Sequence, residues 1–221
     1  MPKSKRNKIV SLTKTDKQGH EGKEKLIDQI HECVDNYEYI WVFSVQDMRN
    51  TFLKDIRNDL KSTSRLFLGR NRVMAKALGT TPEEEYKEGL AGLAKELRNE
   101  VGLLFTNKAP ENIKDYFESY TQPDYARSGN VATESVQLSE GPVKRGPDNM
   151  PHNMEPLLRQ LGMPTSLVNG IVTLHAPYMI CREGETLSTN QAHLLKLFYH
   201  QLAEFRVQLT CYYHKGQVVQ L

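Results

Sequence analysis

Between Lys23 and Tyr120 the chain alternates two hydrophobic periods, and that alternation restricts it to few architectures. Leu26, Ile27, Ile30, Cys33 and Val34 recur at the spacing of one helical face, which predicts a helix over 23–35. After Asn36, the run from Tyr39 to Phe43 is apolar throughout and rich in aromatic and β-branched residues, the pattern of a strand buried on both faces. Residues 46–61 return to helical spacing, with Met48, Phe52 and Ile56 inward, and Arg65 to Leu68 reads as a second strand. Thr81-Pro82-Glu83-Glu84 places a capping threonine before a proline and predicts a helix starting there. Val101 to Phe105 reads as a third buried strand and 110–120 as the helix after it. Helices alternating with apolar strands predict an α/β sandwich with mainly parallel connections.

The texture changes near residue 125. Residues 121–153 are rich in Gly, Pro, Ser, Thr and Asn, and GPVKRGPDNMPHNM reads as an irregular linker or loop. A second, smaller α/β unit is expected beyond it: a helix over 155–161, strands over 168–174 and 178–182, and a helix over 189–200. Ser188 and Gln191 have the spacing of a capping box for that last helix. Phe205, Val207, Leu209, Cys211 and Tyr213 then alternate with polar residues, which predicts a late strand at the edge of the first sheet.

Charge is distributed less evenly than the total of +2 suggests. Residues 1–25 carry 8 Lys/Arg against 3 Asp/Glu, and residues 46–78 carry the same numbers. Residues 80–120 carry 9 acids against 5 bases. The near-neutral sum therefore conceals two basic blocks, each able to attract a polyanion. The first is the arm Lys3, Lys5, Arg6 and Lys8, for which composition leaves three readings open: an import signal, a polyanion-binding tail or a solubilising terminus. No hydrophobic core follows it, so it lacks the pattern of a secretory signal peptide, and no apolar run is long enough to span a bilayer. Three cysteines, with no Cys-x-x-Cys pair, indicate neither a disulfide framework nor a zinc ribbon.

The second block contains LFLGRNRVMAKALG, Leu66 to Gly79. If 66–68 is a strand and the helix begins near Asn71, Gly69 permits a tight turn. The free amides of the first helical turn then face outward beside Arg70 and Arg72, an arrangement that favours an anion. Arg72 and Lys76 share one side. Like charges at that spacing cost an isolated helix about 0.2–0.5 kcal/mol, and basic residues at its N-terminus oppose its dipole. Folding alone would not choose them. A solvated basic face is the ordinary explanation, but Arg49, Lys54, Arg57 and Lys61 on the preceding helix extend the charge to a size suited to a nucleic-acid backbone. The stretch lacks the glycine and lysine spacing of a phosphate-binding loop and the glycine pattern of a dinucleotide fold. None of the seven histidines has metal-ligand spacing, and no G-x-S-x-G motif or carboxylate pair stands out. An enzyme is the less favoured reading, and no cofactor is expected.

MPKSKRNKIVSLTKT, GRNRVMAKALGTTPEEEYK, NEVGLLFTNK, DYARSGN, PHNMEPLLRQLGMPTSLVNGIVTL and AEFRVQL together resemble the mRNA turnover protein 4 family of ribosome assembly factors, nuclear paralogues of the acidic ribosomal stalk-base protein. The resemblance covers nearly the whole chain. It implies a stalk-base (L10-like) α/β sandwich with an inserted small α/β domain: residues 1–125 and 201–221 form the rRNA-binding domain, with 1–22 a basic arm, and 126–200 the insertion. It implies an rRNA surface at Gly69, Arg70, Asn71, Arg72 and Lys76, where the mature stalk protein usually reads G-K-N-T. The implied partners are large-subunit rRNA and the pre-60S particle, including the neighbouring stalk-base protein of the L11 family, with no membrane and no small-molecule substrate. The implied location is the nucleolus and nucleus, with shuttling to the cytoplasm on pre-60S particles. The mature protein continues into stalk-recruiting helices and an acidic tail, whereas this sequence stops at Leu221. It is therefore expected to hold the site temporarily.

Overall fold

The computed structural model describes residues 19–221. In chain order, the first half contains α1 (His20–Asn36), β1 (Tyr39–Gln46), α2 (Asn50–Asp59), β2 (Ser64–Phe67), α3 (Asn71–Leu78), α4 (Leu90–Lys95), β3 (Val101–Thr106), α5 (Pro110–Ser119) and β4 (Thr121–Asp124). The second half contains β5 (Val136–Leu138), β6 (Gly141–Pro142), β7 (Lys144–Arg145), β8 (Asp148–Asn149), α6 (Glu155–Gln160), β9 (Thr165–Val168), β10 (Ile171–Leu174), β11 (Tyr178–Cys181), α7 (Thr189–Leu197), β12 (Ala203–His214) and β13 (Gln217–Gln220). The main sheet has the order β13-β12-β1-β3-β2, with β4 pairing β12. The late strand is therefore not at the edge. It lies beside β1, and β13, folded back through the Lys215-Gly216 turn, takes the outer position.

Two compact units are distinguished. The first comprises residues 19–42, Leu66–Asn107 and Cys211–Leu221. Its core joins Ile30, Cys33 and Val34 of α1 to Ile40 and Val42 of β1, Met74, Ala77 and Leu78 of α3, Leu90 and Leu93 of α4, and Leu103 and Phe105 of β3. All six residues of β3 are buried, as its uninterrupted apolar run requires. The helix expected at Thr81 is absent. Residues 79–89 form a loop, and α4 starts at Leu90. Long-range contacts override the local capping signal here. Tyr86 stacks on His31 with ring centroids 4.0 Å apart and donates its hydroxyl hydrogen to Asp35 at 2.8 Å. Lys87 donates to the Val34 carbonyl at 2.8 Å and pairs with Asp35 at 2.9 Å. These hydrogen bonds hold the Asp35 carboxyl below its ordinary range. The Glu85 carboxylate accepts from the Gly89 and Ala91 amides at 3.1 and 3.0 Å, so the acid that looked internal to a helix caps the next one.

The second unit comprises Phe43–Arg65 and Lys108–Thr210. In one part of it, Phe52 and Tyr120 close on Phe205 of β12, with centroids 5.3 and 6.3 Å away. In the other, Val136, Val143, Met150, Leu158, Met163, Val172, Leu174, Ile180, Leu194 and Leu195 share a core. The stretch expected as an irregular linker belongs to this core. Val143 and Met150 are buried, Val143 donates to the Val172 carbonyl at 2.8 Å, and β7 and β8 pair around Gly146. The single strand expected over 168–174 is a hairpin. Asn169 (φ 51) and Gly170 (φ 79) turn the chain between β9 and β10. Asn-Gly is the dipeptide that tolerates two positive φ values, so the signal was present in the sequence. The Ser188 capping box forms as expected: Ser188 Oγ accepts from the Gln191 amide at 3.3 Å and Gln191 Oε1 from the Ser188 amide at 2.8 Å.

Cys33, Cys181 and Cys211 are thiols outside any disulfide, each exposed by 2% or less. Burial pushes the Cys181 thiol up and carries Cys211 to about 11 from an ordinary 9.0. Above pH 9 the unfolded chain loses this Cys211 proton before the folded chain does, so this contribution to stability falls as pH rises from about 9 to about 11. At pH 8 an aromatic disulfide reagent should label none of the three until denaturant is added. Rapid release of one equivalent from the native protein would contradict the packing.

Candidate nucleic-acid interface

In the first unit, α3 starts at Asn71, the position its sequence pattern predicts. Arg70 is its N-cap residue in extended conformation, with no side-chain cap and no acid in the first turn. The free amides and the positive dipole end are therefore not neutralised from within the helix. Met74, Ala77 and Leu78 are buried, which leaves Arg70, Arg72 and Lys76 on the remaining surface. None of the three takes part in the ion pairs formed among the described residues. Asn71 is tied down instead: Nδ2 donates to the Asn99 carbonyl at 2.7 Å, fixing the start of α3 to the loop before β3.

Gly69 plays a different part from the one expected. Its φ is not in the left-handed region, so a turn does not require glycine there. A Cβ at 69 would lie 3.0 Å from Leu26 Cδ2 and 3.5 Å from Met74 Cγ, so the missing side chain lets α1 come close to the entry of α3. Beside this contact is an open hollow of about 630 Å³ whose walls include Gly22, Lys23, Leu26, Arg70 and Val73. Lys23, which the sequence placed only within the basic block 1–25, thus joins the cationic residues here.

In the second unit, Lys54 and Arg57 of α2 and Lys61 just beyond it are exposed at spacings of three and four, on one stripe, and make no ion pair among the described residues. Of the acids of α2, Asp59 accepts from the Tyr116 hydroxyl at 3.2 Å. Burial, followed by the charges of Asp55 and Asp59, pushes the Tyr120 hydroxyl up, and Tyr116 is raised by burial and Asp59. Arg49 differs from its neighbours. It is half-buried, pairs with the buried Asp124 through Nε and donates to the Tyr125 carbonyl at 3.4 Å. Its charge is therefore taken up within the fold. Lys3, Lys5, Arg6 and Lys8 lie outside the described residues.

Among the described residues no cluster of His, Cys, Asp and Glu could hold a metal ion, and no helix is long and apolar enough to cross a membrane. Comparison with known proteins gives this surface its context. The family profile of ribosomal protein L10 matches residues 18–122, and the profile of the insertion domain found in the 60S ribosomal protein of that family matches 126–199. The chain is 48% identical to ribosome assembly factor mrt4 of Schizosaccharomyces pombe, over 97% of this chain and 92% of that protein. It is 39% identical to the MRT4 assembly factor of Saccharomyces cerevisiae, over 96% and 94% respectively. Similarity to the large ribosomal subunit protein uL10 of Methanosarcina mazei is lower, 25% over 76% of this chain and 46% of that protein. At such identity over nearly full length, the chain belongs to the Mrt4 family of ribosome assembly factors, a branch of the L10 proteins and not a family of enzymes.

Proposed function

We propose that this protein is a ribosome biogenesis factor that binds large-subunit rRNA at the stalk base of pre-60S particles, in the nucleolus and nucleus, and is later replaced by the mature stalk protein. The observation that carries this reading is the set Arg70, Arg72 and Lys76 at the start of α3, without carboxylate partners among the described residues, in a chain of this family. Lys/Arg side chains and first-turn amides would hold phosphates of a folded RNA, recognising shape more than sequence. Lys54, Arg57 and Lys61 supply a second basic stripe for the same RNA. The rRNA-binding domain would comprise 1–125 and 201–221, with 126–200 as the insertion. Relationship to uL10 supports replacement, because two proteins carrying one RNA-binding domain compete for one site. The neighbouring L11-family protein would be the nearest protein partner.

Ultraviolet crosslinking with sequencing of the attached RNA tests partner and site together. Reads concentrated in the stalk-base region of precursor rRNA are expected, and a scattered distribution would overturn the reading. The similarity to uL10 favours one alternative, a permanent stalk-base component. Gradient fractionation separates the two: co-sedimentation with translating polysomes supports the component, and enrichment with nuclear precursors supports the assembly factor.

A further inference from the structure

The hollow between α1 and the entry of α3 has a composition that phosphate contacts alone do not explain. Leu26 and Val73 give it an apolar floor, Lys23, Arg70 and His20 stand in its walls, and no carboxylate among the described residues lines it. The carboxylate of Glu24 is occupied with His20 at 2.9 Å. At about 630 Å³ it lies within the roughly 300–1,000 Å³ of sites that enclose small organic groups. Gly22 lines it without a side chain. A flat phosphate-binding face needs none of this. An apolar floor with cations on its rim matches a single nucleotide, which has an apolar ring face, polar ring edges and a phosphate on each side.

We infer that the hollow takes one unstacked nucleotide of the bound RNA. The inference rests on the rRNA-binding reading and adds to it a site for a base. Leu26 and Val73 receive the ring face, the Arg70 guanidinium offers a planar stacking partner, and Lys23 meets a flanking phosphate. Loop and bulge nucleotides are therefore selected over paired ones, because a paired base would have to leave its stack at a cost of a few kcal/mol. This gives the protein a preference within folded RNA that charge alone cannot provide.

The test is a block of the hollow that leaves the charge untouched. Gly22 has no left-handed φ, so the α1 backbone admits a side chain there; the block is Gly22→Phe, with Gly22→Leu as a smaller one should the first variant fold poorly. Binding is measured to an rRNA fragment containing the unpaired nucleotides of the stalk base and to a fully paired RNA duplex of equal length. Stacking is worth about 1–3 kcal/mol per base, so the folded variant should lose roughly 5-fold to 150-fold affinity for the fragment. Its affinity for the duplex and the slope of binding against salt should not change. Wild-type affinity of both variants for the fragment would overturn the inference while leaving the RNA-binding surface intact. Equal loss on fragment and duplex would also overturn it, as would 5′-AMP binding as tightly as the fragment, which would assign the hollow to a free nucleotide. Failure of the rRNA-binding reading looks different: the wild type itself would bind neither RNA in a salt-dependent way.

Discussion

Replacing Arg70 and Arg72 by glutamate should weaken rRNA binding by about 100-fold or more while leaving the protein at least as stable as before. Each neutralised phosphate contributes about 0.7–0.9 to the slope of log affinity against log salt, so removing two contacts should lower that slope by about 1.4–1.8. The like-signed charges that replace them add repulsion. Stability should respond in the opposite direction. Both side chains are exposed, lack ion-pair partners among the described residues and sit at the amino end of α3, where an acid gains about 0.3–1 kcal/mol from the helix dipole and a base loses it. Binding and denaturation measured on one preparation would thus move apart. Unchanged affinity would sink the assignment of this site, and a large loss of stability would show that the arginines serve the fold. The triple reversal of Lys54, Arg57 and Lys61 reports independently on the stripe along α2.

Gly89→Ala should destabilise the protein by about 2–4 kcal/mol, far more than glycine-to-alanine changes at exposed turns. Gly89 has a φ of +84, and a Cβ there would lie 2.2 Å from the carbonyl oxygen of Gly216. Two backbone segments, the entry to α4 and the β12–β13 turn, meet at this point with no space for a methyl group. Backbone cannot swing aside like a side chain, so the clash adds to the cost of a left-handed conformation. Gly129→Ala is the control, with a φ of +95 and nothing within 4 Å of its Cβ. It should cost only about 1–2 kcal/mol. Urea unfolding of the two variants isolates the close approach, and equal losses would show that the left-handed backbone alone sets the cost.

Much of the fold was legible because its signals are local. The apolar run of β3, the onset of α3 at Asn71 and the capping box at Ser188 each depend on residues within one turn or strand. The Asn169-Gly170 hairpin was equally local, but its two short flanks, with Val168 and Ile171 exposed, read as one strand over 168–174. The 79–89 loop was a different kind of miss. Thr81-Pro82 carries a real helix-start signal, yet the stacking of Tyr86 on His31, the hold of Lys87 on Asp35 and the cap from Glu85 to Gly89 compete with it and win. A few tenths of a kcal/mol of helix propensity per residue is easily exceeded by several such contacts.

By itself the sequence determined α1, β1, α2, β2, α3, β3 and α5 and the two blocks of basic residues, because period, propensity and charge are carried by neighbours along the chain. Only the tertiary structure decided which of those charges are available. Arg49 is taken up by Asp124, Asp59 turns to Tyr116, Arg70 and Arg72 stay outside the ion pairs of the described residues, and Lys23 comes to line the same hollow as Arg70. A cation's value as a binding group depends on the groups near it in space, and those come from distant parts of the chain.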